Sequence, residues 1–377
     1  MSATPWNSIA ESLVPVVPAR TLKHSVAVES PCSNCSTSPC CTHLPLTNFK
    51  VTNLVELDHA KYLLNFDNIE LSISAAGDWS AYYTYPCRYL NRQTFECSVH
   101  DDPRQPQICV HYNPYNCWYK RIFTVGQNDE VIRIDRARME LLLEHIEFDE
   151  QRRITTVPGW DAMVEMMGAL GDRPRPAGTP GPYADAALER WEASIASGAD
   201  PAEVASTGYR SAADLQDPCT GCAAYCCTTL VFPQAVPAHI SSLDYFRFCL
   251  GFPGVELGIG DGQWSIIIKT RCRHLQDDNR CGVYGQPERP IICKYYDEWK
   301  CDYKRQFGEP RPADMVRLRL EQWEWLAACF LYDESGAIVE MPPMEALRAA
   351  IEAQWKQHGS LETIPLMVVD SAPRSGK

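Results

Sequence analysis

The residue type with the greatest chemical potential in this sequence is cysteine, which occurs 18 times among 377 residues. Sixteen of these cysteines form two sets of eight, and the two sets share one order and nearly one spacing. Each set opens with Cys-x-x-Cys and a vicinal Cys-Cys pair, and four separate cysteines follow. The first set comprises Cys32, Cys35, Cys40, Cys41, Cys87, Cys97, Cys109 and Cys117. The second set comprises Cys219, Cys222, Cys226, Cys227, Cys272, Cys281, Cys293 and Cys301.

Sulfur ligands in this pattern predict metal binding. Cys-x-x-Cys places two thiolates on one tight turn, where both can bind one metal at a sulfur–metal distance of about 2.3 Å. Thiolate-only ligation suits zinc, iron–sulfur clusters and Cu(I), and it disfavours magnesium and calcium. We therefore expect an iron–sulfur cluster or zinc as the cofactor. Both stay open, because the spacing matches neither a ferredoxin run nor a zinc ribbon.

The vicinal pairs suggest how the thiols divide. Neighbouring side chains in extended backbone point to opposite faces, so two adjacent thiols serve two centres more easily than one. Eight thiols then predict two four-thiolate sites in each half of the chain, with a fused polynuclear cluster as the alternative. Each such site carries a charge of about −2, which favours cations near the sulfur atoms. The candidates are Arg88, Arg273 and the Lys-Arg pairs at 120–121 and 304–305, with solvated surface charge as the alternative.

Two cysteines fall outside the sets. Cys249 lies on a predicted amphipathic helix and is expected in the hydrophobic core. Cys329 aligns with His145 of the first half, and both residue types can bind metal. The apolar residues around Cys329 favour a buried helix face, so a ligand role for either residue stays open.

The agreement between the halves extends beyond cysteine. Leu-Asp at 57–58 recurs at 243–244, and Tyr-Lys-Arg at 119–121 recurs at 303–305. We interpret the chain as a tandem duplication. The predicted divisions are an N-terminal extension (1–30), a first cysteine-cluster domain (31–168), a Pro/Gly-rich linker with a short helix (169–216), a second cysteine-cluster domain (217–358) and a tail (359–377).

Hydrophobic periodicity and turn signals predict the elements that position the cysteines. For the second half they predict a helix over 239–250, hairpin strands over 255–260 and 263–270, a helix over 315–330, a strand near Ile338 and a helix over 344–355. The first half repeats this order, with helical residues over 133–147. The predicted class is α+β: two homologous small domains, each with a metal-organised cysteine-rich loop region, a β-hairpin and amphipathic helices. We expect the fragments 25–170 and 212–377 each to bind metal independently.

Charge and hydropathy exclude several partners. The formal net charge of −13 argues against nucleic acid, because phosphate binding needs an excess of lysine and arginine. No run of apolar residues reaches the length of a membrane span, and the N-terminus has no apolar stretch of the signal-peptide type. We therefore expect a cytoplasmic protein whose thiols stay reduced, which favours metal binding over a disulfide framework. A protein partner is left open.

The best-preserved motif carries a family resemblance. Cys-x2-Cys-x3-Cys-Cys at 219–227 precedes Cys-Arg-x-Leu at 272–275, Cys-x-x-Tyr at 281–284 and Arg-Pro-x-x-Cys at 289–293. This pattern resembles the YkgJ-type cysteine-cluster family, which is described as chelating zinc or iron. The resemblance implies a metal-binding role for the second set of cysteines.

The first half departs from this pattern. Cys35 and Cys40 are separated by one extra residue, His100 replaces the tyrosine and Gln105 replaces the arginine. A similar motif occurs in flagellin lysine N-methylases, which modify protein lysines with S-adenosylmethionine. The resemblance therefore implies an enzymatic option as well.

Two functions are consistent with these observations. The favoured one is a metal-binding protein whose centres are structural, with redox or metal-handling roles left open. The alternative is a metal-cluster enzyme that modifies a protein or peptide, for example a lysine N-methylase-like protein. The sequence contains no recognisable S-adenosylmethionine loop, nucleophile elbow or phosphate loop, so the first function is preferred. An interaction scaffold with structural zinc is a third reading.

Overall fold

The computed structural model describes Lys23, Cys32, Cys35 and the ranges 38–123, 130–170, 222–260, 262–298, 300–307 and 315–357. These residues form 11 α-helices and four small antiparallel sheets, which confirms the α+β class. Cys219, nearly all of the predicted N-terminal extension and linker, and the predicted tail lie outside the described residues.

The first half contains one four-stranded sheet, a two-stranded sheet and five α-helices among its described residues. The strand order in the larger sheet is β1-β3-β2-β4. The elements in chain order are β1 (His43–Phe49), α1 (Leu54–Leu63), β2 (Ile69–Ser74), β3 (Trp79–Thr84), α2 (Gln107–Val110), α3 (Trp118–Phe123), β4 (Val131–Ile134), α4 (Arg136–Leu143), β5 (Glu147–Phe148), β6 (Ile154–Thr156) and α5 (Trp160–Ala169).

The second half has a four-stranded sheet with the corresponding order, β10-β8-β9-β7. Its elements are α6 (Tyr225–Thr228), β7 (Thr229–Gln234), α7 (Ile240–Leu250), β8 (Val255–Gly260), β9 (Gln263–Lys269), α8 (Ile291–Lys294), α9 (Asp302–Phe307), β10 (Met315–Leu318), α10 (Leu320–Ala328), β11 (Leu331–Tyr332), β12 (Ile338–Glu340) and α11 (Met344–Gln357). The predicted helix over 239–250, both hairpin strands, the strand near Ile338 and the last helix are confirmed.

A side-chain cap explains where α1 begins, and glycine residues explain where the two hairpins turn. The Asn53 side chain accepts hydrogen bonds from the backbone N–H groups of Val55 and Glu56, which satisfies two otherwise unpaired donors at the start of α1. The β2–β3 turn contains Gly77 at φ 74°, and Gly262 at φ 70° lies between β8 and β9. Glycine adopts this left-handed conformation without a steric penalty, so both hairpins turn tightly.

The predicted helix over 315–330 is wrong at its start. Met315–Leu318 is strand β10, which pairs antiparallel with β8, and α10 begins only at Leu320. Val316 and Leu318 are buried, whereas Arg317 between them is partly exposed, and this alternation belongs to a strand. The first half shows the same difference, since the predicted helical region 133–147 begins within strand β4 and helix α4 starts only at Arg136.

One hydrophobic core spans both halves. It includes Leu57 and Tyr83 from the first half and Leu243 and Phe252 from the second. Backbone hydrogen bonds cross between the halves in a reciprocal way: Arg88 N–H donates to the Gly251 carbonyl at 2.9 Å, and Arg273 N–H donates to the Asn65 carbonyl at 2.8 Å. The two halves therefore share a core, and the division into two domains stays a prediction. None of the helices in the described ranges is long and apolar enough to cross a membrane.

Candidate metal centre

The vicinal cysteine pairs lie on helical turns. The pair at 40–41 ends the 3-10 turn Pro39–Cys41, and the pair at 226–227 lies within α6. Each turn follows a residue in the left-handed conformation, Ser38 at φ 36° and Ala224 at φ 54°. The two Sγ atoms are 4.0 Å apart in the first pair and 3.9 Å apart in the second. The expectation of extended backbone with opposite-facing thiols is therefore wrong, because a helical turn keeps the two sulfur atoms close together.

One group of thiols in the first half forms around Cys41. The Cys41 carbonyl accepts the Cys87 N–H at 2.7 Å, which joins the vicinal pair to the chain that follows β3. Burial raises the pKa of the Cys109 thiol, and the nearby sulfur atoms of Cys87 and Cys40 raise it further. Burial likewise raises the pKa of Cys87 to about 12, and Cys97 adds to that rise. Thiols from distant parts of the chain thus lie close enough to interact: Cys41, Cys87, Cys97 and Cys109.

A second group of thiols in the same half forms around Cys40. The Cys35 N–H donates to the Cys32 carbonyl at 3.1 Å, which closes the tight turn expected of this segment. Burial raises the pKa of Cys32, and nearby Cys40, Cys117 and Cys35 raise it further. Cys40 interacts with members of both groups. The first-half cysteines therefore form two neighbourhoods that meet at the vicinal pair.

The second half has a similar group of thiols at its vicinal pair: Cys226 lies near Cys281 and Cys293, and Cys272 lies beside Cys227. The Cys227 carbonyl accepts the Cys272 N–H at 2.7 Å, as the Cys41 carbonyl does for Cys87. Burial raises the pKa of the Cys293 thiol to about 12, and nearby Cys226 and Cys272 contribute to the rise. The pKa of Cys281 is raised mainly by burial, with smaller contributions from the same two thiols.

Hydrogen-bond donors and cations lie beside the sulfur atoms. The Tyr112 hydroxyl donates to Cys117 Sγ at 3.4 Å, and the Tyr296 hydroxyl donates to Cys301 Sγ at 3.5 Å. The Lys120 ammonium counters the pKa rise at Cys117, and the Lys304 ammonium counters that at Cys222. The two tyrosines align between the halves of the sequence, and this alignment could have identified them as neighbours of the cysteines. At Cys117 and Cys222 these contacts oppose the effect of burial and favour the charged thiolate that a metal requires.

Of the other predicted cations, Arg88 lies near a sulfur atom, whereas Arg273 is exposed and Arg305 is in an ion pair. The Arg88 guanidinium forms an ion pair with Glu321 of α10 at 2.5 Å and still lies near Cys87. Arg273 is exposed. Arg305 forms an ion pair with Asp302 at 3.4 Å, and the side chain of residue 121 lies outside the described residues.

Arg289 is a sulfur neighbour that the predicted cations did not include. Its guanidinium lowers the pKa of Cys226, Cys281 and Cys293 relative to burial alone. It also stacks over the Tyr284 ring at 4.2 Å and forms an ion pair with Glu298 at 3.2 Å. The Arg-Pro-x-x-Cys motif at 289–293 is the sequence signal that could have identified Arg289 as a neighbour of these thiols.

The carboxylates of α1 and α7 reach across to the cysteine loops of the opposite half. Asp244 Oδ2 accepts the Gln107 N–H at 2.5 Å, and Asp58 Oδ2 accepts the Ile291 N–H at 2.6 Å. Gln107 begins α2, which carries Cys109, and Ile291 begins α8, which carries Cys293. Sequence comparison aligned the two aspartates but held no information about which backbone they contact.

The two cysteines outside the sets are placed differently. Cys249 is 1% exposed within the shared core, which confirms its predicted position. Cys329 ends α10 and packs against the same core, and burial raises the pKa of its thiol. His145 is exposed.

The sulfur atoms approach one another without forming a finished coordination shell. Within the described ranges, no group of three or more His, Cys, Asp or Glu side chains stands in an arrangement that could hold a metal ion. The donor set itself is all sulfur, half-buried and flanked by lysine, arginine and tyrosine. This chemistry fits zinc or iron–sulfur ligation, which needs deprotonated thiols and neighbouring donors.

Comparison of the chain with protein-family models, curated proteins and solved structures finds no match. The resemblance to the YkgJ-type family therefore stays a prediction.

Proposed function

We propose that this protein binds zinc or iron–sulfur clusters through the cysteine thiolates of both halves. The observation that carries the proposal is the convergence of thiols from widely separated segments, as at Cys41, Cys87 and Cys109. Cysteines that serve only as small core residues need no such convergence, and Cys249 shows the contrasting behaviour. The enzymatic alternative rests on the motif resemblance alone.

We further propose that the two halves are tandem copies of one metal-binding unit. Three repeated features support this: the strand order, the backbone bond that joins the vicinal pair to the next cysteine, and the Tyr-to-Cys hydrogen bond. Each feature involves residues that align between the halves.

The two neighbourhoods of the first half, carried over to the second half by the sequence alignment, indicate which thiols would share a centre. In the first half, one centre would use Cys41, Cys87, Cys97 and Cys109, and the other Cys32, Cys35, Cys40 and Cys117. In the second half, one would use Cys227, Cys272, Cys281 and Cys293, and the other Cys219, Cys222, Cys226 and Cys301. Bound metal would supply a positive charge to buried thiols and hold irregular loops in place.

Anaerobic purification followed by analysis for zinc, iron and acid-labile sulfide tests the proposal. We expect a stoichiometric metal: a brown protein with iron and sulfide, or a colourless protein with zinc. The Cys249→Ala variant is the matched control and should retain the same metal content. A protein that holds no stoichiometric metal when purified or reconstituted without oxygen would contradict the proposal.

A further inference from the structure

We propose that Asp58 and Asp244 are positioning residues that assemble each cysteine cluster across the two halves of the chain. The description of these clusters as metal centres rests on the proposed function. The positioning role itself rests on the hydrogen bonds between the halves.

The first contact runs from the second half to the first. Asp244 lies on α7, is 5% exposed, and accepts the backbone N–H of Gln107 through Oδ2. Its other carboxylate oxygen, Oδ1, pairs with Arg247 Nη2 at 2.8 Å. The same guanidinium donates to the carbonyls of Gln105 at 3.0 Å and Pro103 at 3.3 Å. Two side chains of α7 thus form hydrogen bonds with the backbone of the loop that leads into the turn of Cys109.

The second contact is its counterpart in the opposite direction. Asp58 lies on α1 and accepts the backbone N–H of Ile291, the first residue of α8. Cys293 lies in that same turn. Arg247 aligns with Lys61 of α1, so the hydrogen bonds from the Arg247 guanidinium to the loop carbonyls have no arginine counterpart in the first half.

Proline explains why the cap must come from elsewhere. The N-cap positions of α2 and α8 are Pro106 and Pro290, and neither makes a side-chain capping bond. Local caps are normally serine, threonine, aspartate or asparagine, whose oxygen accepts an N–H at the start of the helix. A carboxylate from the other half fills this role here, and a charged acceptor makes a stronger bond than a neutral one. Each four-residue turn is therefore held in place by a side chain of the opposite half.

Peptide-resolved alkylation of the full-length chain tests this role. Wild type, Asp58→Ala and Asp58→Asn would each be treated with a chelator under reducing conditions and then with iodoacetamide. Mass spectrometry would measure the rate at which Cys293 and Cys109 are labelled. Asp58→Ala should increase the labelling rate of Cys293 about tenfold and leave Cys109 within about twofold of wild type. Asp58→Asn, which keeps a neutral acceptor, should give an intermediate rate.

The controls separate positioning from general destabilisation. Glu56→Ala changes a neighbouring carboxylate on α1 that bonds Thr52 within its own half, so it should leave the Cys293 rate near wild type. Asp244→Ala should show the reverse selectivity, with faster labelling of Cys109. Equal acceleration at both cysteines in Asp58→Ala, or no acceleration at Cys293, would overturn the proposal. Because all samples are metal-free, the result stands apart from whether the purified wild type contains metal.

Discussion

At the scale of single residues, Cys41 shows what one thiol contributes. Its sulfur lies 4.0 Å from that of Cys40, and it interacts with Cys87 and Cys109. In the proposed assignment Cys41 shares a four-thiolate centre with Cys87, Cys97 and Cys109, while Cys40 belongs to the neighbouring centre. Loss of this thiol leaves three sulfur atoms in its neighbourhood, too few for a closed site.

We expect Cys41→Ser to lower the metal content of the chain and its thermal stability, because a closed shell loses one ligand. Cys249→Ala should leave the metal content unchanged and reduce the free energy of unfolding by about 1 kcal/mol, as for trimming a small buried side chain. Elemental analysis and thermal unfolding of both variants provide the measurement. Wild-type metal content and stability in Cys41→Ser would show that this residue is not a ligand.

Lys269 predicts a pH dependence. Burial, together with the nearby Arg317, lowers the pKa of its ammonium from 10.5 to about 7, although Glu256 acts in the opposite direction. The ammonium lies over the Phe307 ring at 4.4 Å and donates to Thr229 Oγ1 at 3.1 Å. Between these two pKa values the unfolded chain binds more protons than the folded chain, so this residue makes stability rise as pH increases from 7.

We therefore expect Lys269→Met to flatten the pH profile above pH 7. As pH rises, the free energy of unfolding of wild type should increase relative to that of the variant by at most about 1.4 kcal/mol per pH unit. Urea unfolding at several pH values between the two pKa values, in reductant, measures the difference. Parallel profiles for the two proteins would show that Lys269 keeps its proton in the folded state.

At the scale of elements, β10 is stabilised by a buried carboxylate on its neighbour. Glu256 on β8 is almost fully buried and forms ion pairs with Arg317 at 2.5 Å and Arg319 at 2.7 Å. Burial alone would raise the pKa of Glu256, but the two guanidinium groups lower it below its usual range. In the first half, Glu70 pairs with Arg133 at 2.5 Å and its side chain is more exposed.

Glu256→Gln should destabilise the protein by about 1.5–3 kcal/mol, because it replaces charge-assisted hydrogen bonds to two arginines that are themselves partly exposed. Glu70→Gln is the matched substitution and should cost less, since the Glu70 carboxylate is more exposed than that of Glu256 and pairs with one arginine instead of two. Chemical denaturation of both variants gives the comparison. Equal losses would mean that burial of the Glu256 pair adds nothing.

These elements also show what sequence reasoning can reach. Apolar residues at helical spacing predicted α7, and Asp-Gly between two apolar runs predicted the β8–β9 hairpin. The helix over 315–330 was placed too early because four strand residues are too few to display a period against the helix that follows. The cross-half bonds of Asp58 and Asp244 were not predictable, since one sequence records residue types but not tertiary contacts.

At the scale of the whole molecule, the halves depend on each other. The core is continuous between them, and α1 and α7 each cap a cysteine-bearing turn of the opposite half. Helices of four residues have little stability of their own, because nucleation costs more than one or two hydrogen bonds return. The cysteine loops of an isolated half would lose this support.

This changes the expectation for the fragments 25–170 and 212–377. Each alone should bind metal more weakly than the full chain and expose the apolar surface that its partner covers. Co-expression of the two fragments should restore a complex with the metal content of the full chain. Size-exclusion chromatography with metal analysis measures both. Full metal content and monomeric behaviour in either fragment alone would show that the halves are independent.

We propose above all that the 16 cysteines of the two matched sets are metal ligands. Native mass spectrometry of the anaerobically purified full chain tests it most directly, because the mass counts bound metal and sulfide while alkylation of the same sample counts free thiols. With about four thiolates per site, we predict about four centres per chain and protection of these cysteines until a chelator is added. A chain with the bare polypeptide mass, whose cysteines are alkylated equally with and without chelator, would contradict the claim.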